Sequence, residues 1–298
     1  MIRVLSPGAR ATVQDRGRLG HLRDGVPPAG PMDPFAFAAA NALVGNDMDA
    51  AGIEIVGPPF AFACDDRRLV AVAGRDVVLR ARDDIAGWTV AFARPGETYT
   101  VVGGDQARFA YLAVSGGIAT PAILGSRATY LPAGWGRALR RGDVLPLGAA
   151  RVDAERAGFA VVPPEYGDSV RAIAGPHHDR FAAEALASFF GSEFRVDEAS
   201  DRMGTRLAGP RIAAAGGEIL TCGVLAGAVQ VPAGGAPIVL LADHQTTGGY
   251  PVIATVISAD LGRVAQRRPG EVLRFAAVDR EGALVALRAE RDALAAIA

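Results

Sequence analysis

Lysine is absent from the 298 residues, so all 31 basic side chains other than histidine are arginine. Genomic codon bias accounts for such an omission, but its chemical consequences hold whatever its origin. Arginine forms no Schiff base, carries no biotin and is a poor proton donor or acceptor at neutral pH. The chain is therefore not a biotin carrier, a pyridoxal-phosphate enzyme of the usual kind, or a P-loop nucleotidase. Cysteine is nearly as scarce. Cys64 and Cys222 are the two present, each among small apolar residues. Their spacing fits neither a zinc site nor a redox pair, so buried structural thiols in a reducing compartment are expected. Long apolar runs are also missing. No segment reaches the length of a membrane helix, and Met1-Ile2-Arg3-Val4-Leu5-Ser6-Pro7-Gly8 has no signal-peptide core. The expectation is a cytoplasmic protein with no membrane partner. A net charge of −1 with no basic stripe excludes a nucleic-acid partner on electrostatic grounds.

Half of the chain is hydrophobic, enough for one large or two medium cores. Short apolar segments punctuated by glycine and proline predict strands at 53–55, 68–73, 88–93, 99–102 and 109–114. Others fall at 219–221, 229–231, 238–242, 252–257 and 272–275. This spacing predicts a mainly β, α+β protein of sandwiches or barrels rather than a parallel sheet. Ile53-Glu54-Ile55 alternates in the period of a strand.

Three helices are expected. The first has Asp33 as N-cap, Pro34 at the first helical position and Gly45 as a left-handed C-terminal cap. The second runs from Asp179, read as its cap, to Phe190, with Phe181, Ala185, Leu186 and Phe189 on one face. The third covers Arg280 to Ile297, with Leu284, Leu287 and Leu294 on one side.

The halves echo each other. Gly8 leads to Val13-Gln14-Asp15 and Gly227 to Val229-Gln230-Val231. Arg94-Pro95-Gly96-Glu97 recurs as Arg268-Pro269-Gly270-Glu271, and Gly57-Pro58 as Gly209-Pro210. The echoes predict two similar β lobes, residues 1–160 and 165–298, joined within Gly148–Asp168.

No standard catalytic signature is present. Ser115-Gly116-Gly117 lacks the preceding glycine of a nucleophile elbow and reads as a turn of close backbone approach. His177-His178-Asp179 invites a metal reading, but adjacent side chains diverge, and no metal is expected. Three polar segments remain. Asp243-His244-Gln245-Thr246-Thr247-Gly248-Gly249-Tyr250-Pro251 follows an apolar strand and concentrates a titratable pair, hydroxyls, an amide and a phenol. His244 is suited to exchange protons near neutral pH, and Asp243 to accept from a substrate or orient a neighbour. The glycines permit unusual backbone angles and close ligand approach. A hydrogen-bonded turn with Tyr250 packed at its base accounts for the segment equally well. Asp201-Arg202-Met203-Gly204-Thr205-Arg206 offers two guanidinium forks for an anion, or is a solvated turn. Gly25 to Asp33 ends at a helix N-terminus suited to an anion, or is simply a helix entry.

At these segments the chain resembles the allophanate hydrolase subunit 2, or biotin-dependent carboxyltransferase-like, family, which includes the C-type subunit of 5-oxoprolinase and the kinase-inhibitor antagonist KipA. The matching stretches are Val13–Gly20, Gly25–Asp33, Ala40–Asn46, Ser115–Ile118, Leu124–Tyr130, Asp201–Gly204 and Gln245–Pro251. They span nearly the whole chain, and Gln-Thr-Thr-Gly-Gly-Tyr-Pro is the most specific. Ala29-Gly30-Pro31, Asp201 and His244 depart from the family pattern.

The resemblance implies two cyclophilin-like β-barrel lobes. It implies partnership with a B-type (KipI-like) carboxyltransferase-fold subunit and an A-type lactam subunit. The implied reaction is ATP-dependent opening of 5-oxoproline to glutamate, with ATP, and by implication magnesium, used by the complex. On the oxoprolinase reading the candidate catalytic set is Asp243, His244, Gln245, Thr246, Thr247 and Tyr250. Arg202, Arg206, Gly248 and Gly249 would hold substrate or anion, with Asp33 contributing from the first lobe. Two alternatives stand beside it. One is half of a biotin-dependent, urea-carboxylase-like carboxyltransferase, with biotin on another domain. The other is a KipA-like binding protein without catalysis. Allophanate hydrolysis by this chain alone is not expected, because amidase Ser-Ser-Lys machinery needs a lysine.

Overall fold

The computed structural model describes residues 1–150 and 152–297. They form two compact units. The first comprises Met1–Arg18, Ala29–Glu165 and the chain from Asp292 onward; the second comprises Leu19–Pro28 and Tyr166–Arg291. Neither unit is one continuous stretch of chain.

The strands of the first unit are β1 (Ile2–Ser6), β2 (Arg10–Gln14), β3 (Gly52–Val56), β4 (Phe60–Cys64), β5 (Arg68–Gly74), β6 (Val77–Arg80), β7 (Asp84–Ala86), β8 (Val90–Ala93), β9 (Thr98–Gly103), β10 (Phe109–Val114) and β11 (Val144–Leu145). They make two sheets, ordered β11-β1-β4-β9-β6-β7 and β2-β3-β10-β5-β8. One side of each sheet contributes to a shared apolar core, with Val4, Phe60, Phe62 and Val101 from one and Val13, Ile53, Val72 and Leu112 from the other.

The far side of the second sheet is covered by α1 (Pro34–Leu43). Its cap is the expected one: Asp33 accepts the Ala36 N–H at 3.1 Å, Pro34 opens the helix, and Gly45 follows at φ 72°. Phe37 meets Tyr111 edge-on at 5.9 Å. Glu54 does not face solvent. It is fully buried and accepts the Met32 N–H at 2.8 Å, while the neighbouring Tyr111 hydroxyl accepts the Asp33 N–H at 2.7 Å. Alternation along β3 sets Glu54 on the side opposite Ile53 and Ile55, which join the shared core. That face is covered by the entry to α1, so its polar side chain is satisfied by backbone instead of water.

In the second unit, β12 (Ser169–Ala174), β13 (Phe194–Val196), β14 (Gly204–Ala208), β16 (Ala228–Gln230), β17 (Ile238–Leu240), β19 (Val252–Val256) and β20 (Val272–Ala277) close a barrel in the order β12-β19-β16-β17-β14-β13-β20. The parallel pairing of β12 with β20 completes it. The short strands β15 (Cys222–Gly223) and β18 (Thr247–Gly248) form a separate two-stranded sheet. The helices are α2 (Ala183–Gly191), α3 (Leu261–Ala265) and α4 (Arg280–Ala295), the last of which belongs to this unit up to Arg291. Phe189 of α2 stacks on Phe275 at 4.4 Å and lies 5.9 Å from Phe194, so aromatic burial fixes α2 on the barrel. The mainly β architecture with a few helices agrees with the sequence reading.

Several local readings are corrected. Asp179 lies inside a 3-10 turn, His178–Arg180, and α2 starts later with no side-chain cap. Leu284 of α4 is exposed, and its buried position is Ala286. Residues 219–221 are not a strand, although the Ile219 N–H donates to the Gly249 carbonyl at 2.9 Å. The repeated Arg-Pro-Gly-Glu makes the same reverse turn twice. Gly96 and Gly270 have φ of 76° and 85°, and the Glu97 and Glu271 N–H groups donate to Arg94 and Arg268 carbonyls at 3.3 and 3.0 Å. Proline followed by a positive-φ glycine is the signature of a type II turn. These turns deliver the chain into β9 and β20.

Candidate functional site

The richest polar cluster is built in the second unit, where the ladder between β14 and β17 runs past its formal ends. Gly204 faces Leu240 in register. Beyond it, the Leu241 N–H donates to the Met203 carbonyl at 3.0 Å and the Asp243 N–H to the Arg202 carbonyl at 2.9 Å. Antiparallel pairing thereby sets Arg202 beside Asp243 across 41 residues of sequence. Arg202 closes on the carboxylate with both arms of its fork, Nε to Oδ2 at 2.8 Å and Nη2 to Oδ1 at 3.0 Å. Both side chains are buried. Asp201 shapes the approach by accepting the Met203 and Gly204 N–H groups at 2.9 and 3.3 Å. The segment 201–204 is thus a tight polar turn whose arginine points inward.

His244 follows directly and is almost wholly buried. Its Nδ1 lies 2.6 Å from the Gln245 carbonyl, which can only accept, so the proton sits on Nδ1 and Nε2 carries the lone pair. Burial holds its pKa below the usual histidine value, opposed by that hydrogen bond and by the Asp243 charge. The imidazole is therefore neutral at neutral pH.

Gln245 donates through Nε2 to Gln230 Oε1 at 3.0 Å. Gln230 is buried on β16, and its own Nε2 has no hydrogen-bond partner among the described residues. This amide faces Gly248, where a Cβ would stand 2.5 Å from Gln230 Nε2. A side chain at 248 therefore requires the Gln230 amide to move. Neither Gly248 nor Gly249 has a positive φ, which corrects the expectation of unusual backbone angles there. A Cβ on Gly249 would find the Ile219 carbonyl at 3.5 Å, an ordinary contact.

The middle of the Gln-Thr-Thr-Gly-Gly-Tyr-Pro string is a short paired strand. Thr247 and Gly248 pair with Gly223 and Cys222, and the Thr246 carbonyl accepts the Val224 N–H at 3.0 Å. Thr247 and Tyr250 are exposed, and Thr246 is half-buried. Tyr250 therefore does not pack at the base of a turn.

The structure brings together Arg202, Asp243, His244, Gln245 and Gly248. Arg206 is exposed on β14, its N–H bonded to the Ser200 hydroxyl at 3.0 Å. Asp33 belongs to the first unit, where its carboxylate serves the α1 cap in place of any external anion. Gln230 is absent from the sequence-derived set. Its signal is the Gly-to-Val-Gln echo between the halves, since Gln14, its counterpart on β2, is likewise buried.

His177 and His178 each spend a ring nitrogen on the backbone, His177 Nδ1 accepting from the Val252 N–H at 3.3 Å and His178 Nδ1 lying 2.9 Å from the Gly175 carbonyl. Among the described residues no cluster of three or more metal-ligating side chains occurs, and no helix is long and apolar enough to cross a membrane. Cys64 is buried and Cys222 only half-buried, so the expectation of two buried thiols is met by one.

Comparison with known proteins extends this geometry. Residues 24–277 match the family described as carboxyltransferase domain, subdomain A and B. The chain is 36% identical to the C-type subunit of 5-oxoprolinase from Escherichia coli strain K12 over 293 residues, covering 96% of this chain and 94% of that one. It is 35% identical to the protein of the same name from Haemophilus influenzae over 285 residues, 93% of this chain and 91% of the other. Among solved structures it is similar to the Kluyveromyces lactis urea carboxylase, with a TM-score of 0.89 at 28% identity, over 100% of this chain and 29% of that much longer protein. The match across 24–277, with near full-length similarity to two proteins of one name, makes this chain a member of the carboxyltransferase domain, subdomain A and B, family.

Proposed function

We propose that the chain is the C-type component of an ATP-dependent 5-oxoprolinase and acts with an A-type lactam subunit and a B-type, KipI-like subunit in the cytoplasm. The observation that carries this reading is the end-to-end similarity to a stand-alone 5-oxoprolinase component of that type, 96% of this chain against 94% of the relative. The chemistry is compatible. Opening a lactam requires hydrogen-bond donors for its oxygen and a base for the attacking water. His244 carries a neutral Nε2 and Gln230 a side-chain N–H without a partner among the described residues, both nearly fully buried in the chain by itself. The Arg202–Asp243 pair positions the strand end that carries His244.

The cluster does not fit ATP. A triphosphate needs several open donors and cations. Arg202 is closed on Asp243, Arg206 is exposed on β14, and lysine is absent. On this reading ATP, and with it magnesium, is used by the assembled complex.

The test is release of glutamate from 5-oxoproline and ATP by this chain co-expressed with its A-type and B-type partners, with each omitted in turn. The reading requires activity to vanish without this chain; full activity in its absence overturns it.

A second reading is favoured by the urea carboxylase likeness over 100% of this chain. On that reading the chain is half of a carboxyltransferase that receives carboxybiotin from another protein. Carboxyl transfer from free carboxybiotin to urea by this chain and its B-type partner, without ATP, would select it.

A further inference from the structure

The first unit contains a cavity of about 290 Å³ assembled where two of the distinctive sequence segments meet, Val13–Gly20 and Leu124–Tyr130. Its lining includes Arg18, Arg127 and Arg137 but no carboxylate.

Asp15 ties the two segments together, accepting from the Ser126 hydroxyl and the Arg127 N–H at 2.5 Å each and from the Gly17 N–H at 2.9 Å. Its oxygens are occupied by donors from its own two loops. Arg18 is buried, bonded to the Ile123 and Ala128 carbonyls, and stacked 5.0 Å from the Trp135 ring centroid. Arg137 is held by Asp143 through two hydrogen bonds, 2.7 and 2.8 Å. Arg127 differs: only its Nε is used, on the Thr120 carbonyl at 2.7 Å. Its two terminal nitrogens have no hydrogen-bond partner among the described residues.

Thr129, on the cavity wall, is 3% exposed as a residue, and its hydroxyl also has no hydrogen-bond partner among the described residues. Gly136 keeps the space beside it clear, since a Cβ there would stand 2.7 Å from the Thr129 oxygen. Val13 and Leu139 supply apolar wall.

We propose that this cavity binds a small carboxylate, held by the Arg127 fork and the Thr129 hydroxyl, with its carbon skeleton against Val13 and Leu139. One open guanidinium matches one carboxylate in a bidentate pair, whereas a phosphate dianion calls for further open donors. The volume is that of a compact ligand, at the lower end of small-molecule sites. The assignment is independent of the oxoprolinase reading, because it concerns binding by this chain alone.

The test is calorimetric titration of the full chain with cyclopentanecarboxylate and with 5-oxo-L-proline, using their carboxamides and inorganic phosphate as controls. Saturable one-to-one binding of a carboxylate is expected, with the carboxamide weaker by about tenfold or more, as loss of a charge-assisted pair implies. Arg127→Gln should weaken the carboxylate to a similar degree, and Arg127→Lys should restore part of it. Arg127 is exposed and its substitution leaves the core untouched. Carboxamides binding as well as carboxylates, phosphate binding in preference, an unchanged affinity in Arg127→Gln, or no saturation by either carboxylate would each overturn the proposal.

Discussion

Arg202 and Asp243 form a bidentate pair at 2.8 and 3.0 Å, with side chains 8% and 9% exposed, and the backbone groups of the same two residues are hydrogen-bonded at 2.9 Å. An arginine expected to meet an external anion thus has an internal one. Removing one partner of a buried pair strands the other charge, at a cost of about 3–5 kcal/mol, whereas replacing both with apolar groups is often nearly neutral. Arg202→Ala and Asp243→Ala should each lower unfolding stability by that order, and Arg202→Met with Asp243→Leu should recover most of it. Urea unfolding of all four chains checks this. Additive losses in the double variant would show that the pair is not a clamp.

The two glycines of the β18 region should respond differently. Gly248→Ala drives a methyl to 2.5 Å from Gln230 Nε2, so either Gln230 leaves Gln245 or the strand moves. The cost should be about 1–3 kcal/mol, as for overpacking in a filled site. Gly249→Ala meets only ordinary contact and has no positive φ to lose. It should lie within about 0.5 kcal/mol of the parent. Thermal unfolding of both variants decides, and equal effects would remove steric room as the reason for Gly248.

The contrast between local and long-range signals explains what the sequence discloses. The helix α1 is legible because its signals are local: Asp33, Pro34 and Gly45 do what their chemistry dictates. The repeated Arg-Pro-Gly-Glu turn is legible for the same reason. Phe189 packs as its helical face predicts, but α2 lacks a side-chain cap, so Asp179 gives a false start for it. Several short strands escape, among them β13 and β14, because a three- to five-residue segment carries little periodicity and is made a strand by its neighbours. The Arg202–Asp243 contact spans a ladder whose register no local pattern discloses. Gln230 and Gln245 join through the same long-range pairing. The residue types of the site can be read from the sequence; which of them meet is a property of the barrel.

Burial makes His244 a source of acid sensitivity. Its folded-state pKa lies below its ordinary value of 6.5, so the unfolded chain binds the extra proton more readily. Its contribution to stability is present above about pH 6.5 and is lost as the pH falls through the depressed folded value. Unfolding midpoints measured from pH 7.5 to 5 should therefore fall more steeply in the parent than in His244→Gln, which keeps a hydrogen-bonding amide. Identical pH profiles would mean that His244 keeps access to water in the folded protein.

The two thiols should separate cleanly by reactivity. Burial is the chief cause that pushes the Cys64 thiol up to about 11, followed by the Asp66 charge, so very little thiolate exists at pH 8. The thiolate is the nucleophile, and Cys64 is also sterically enclosed within the core of the first unit. Cys222 is half-buried on the short strand β15 and has no such enclosure. Labelling with a disulfide reagent at pH 8 should therefore modify Cys222 in the folded chain and both thiols only after denaturation. Cys222→Ser should abolish the native reaction, whereas Cys64→Ala should leave its rate unchanged. Rapid native labelling of Cys64 would show that the first core opens far more readily than its packing implies.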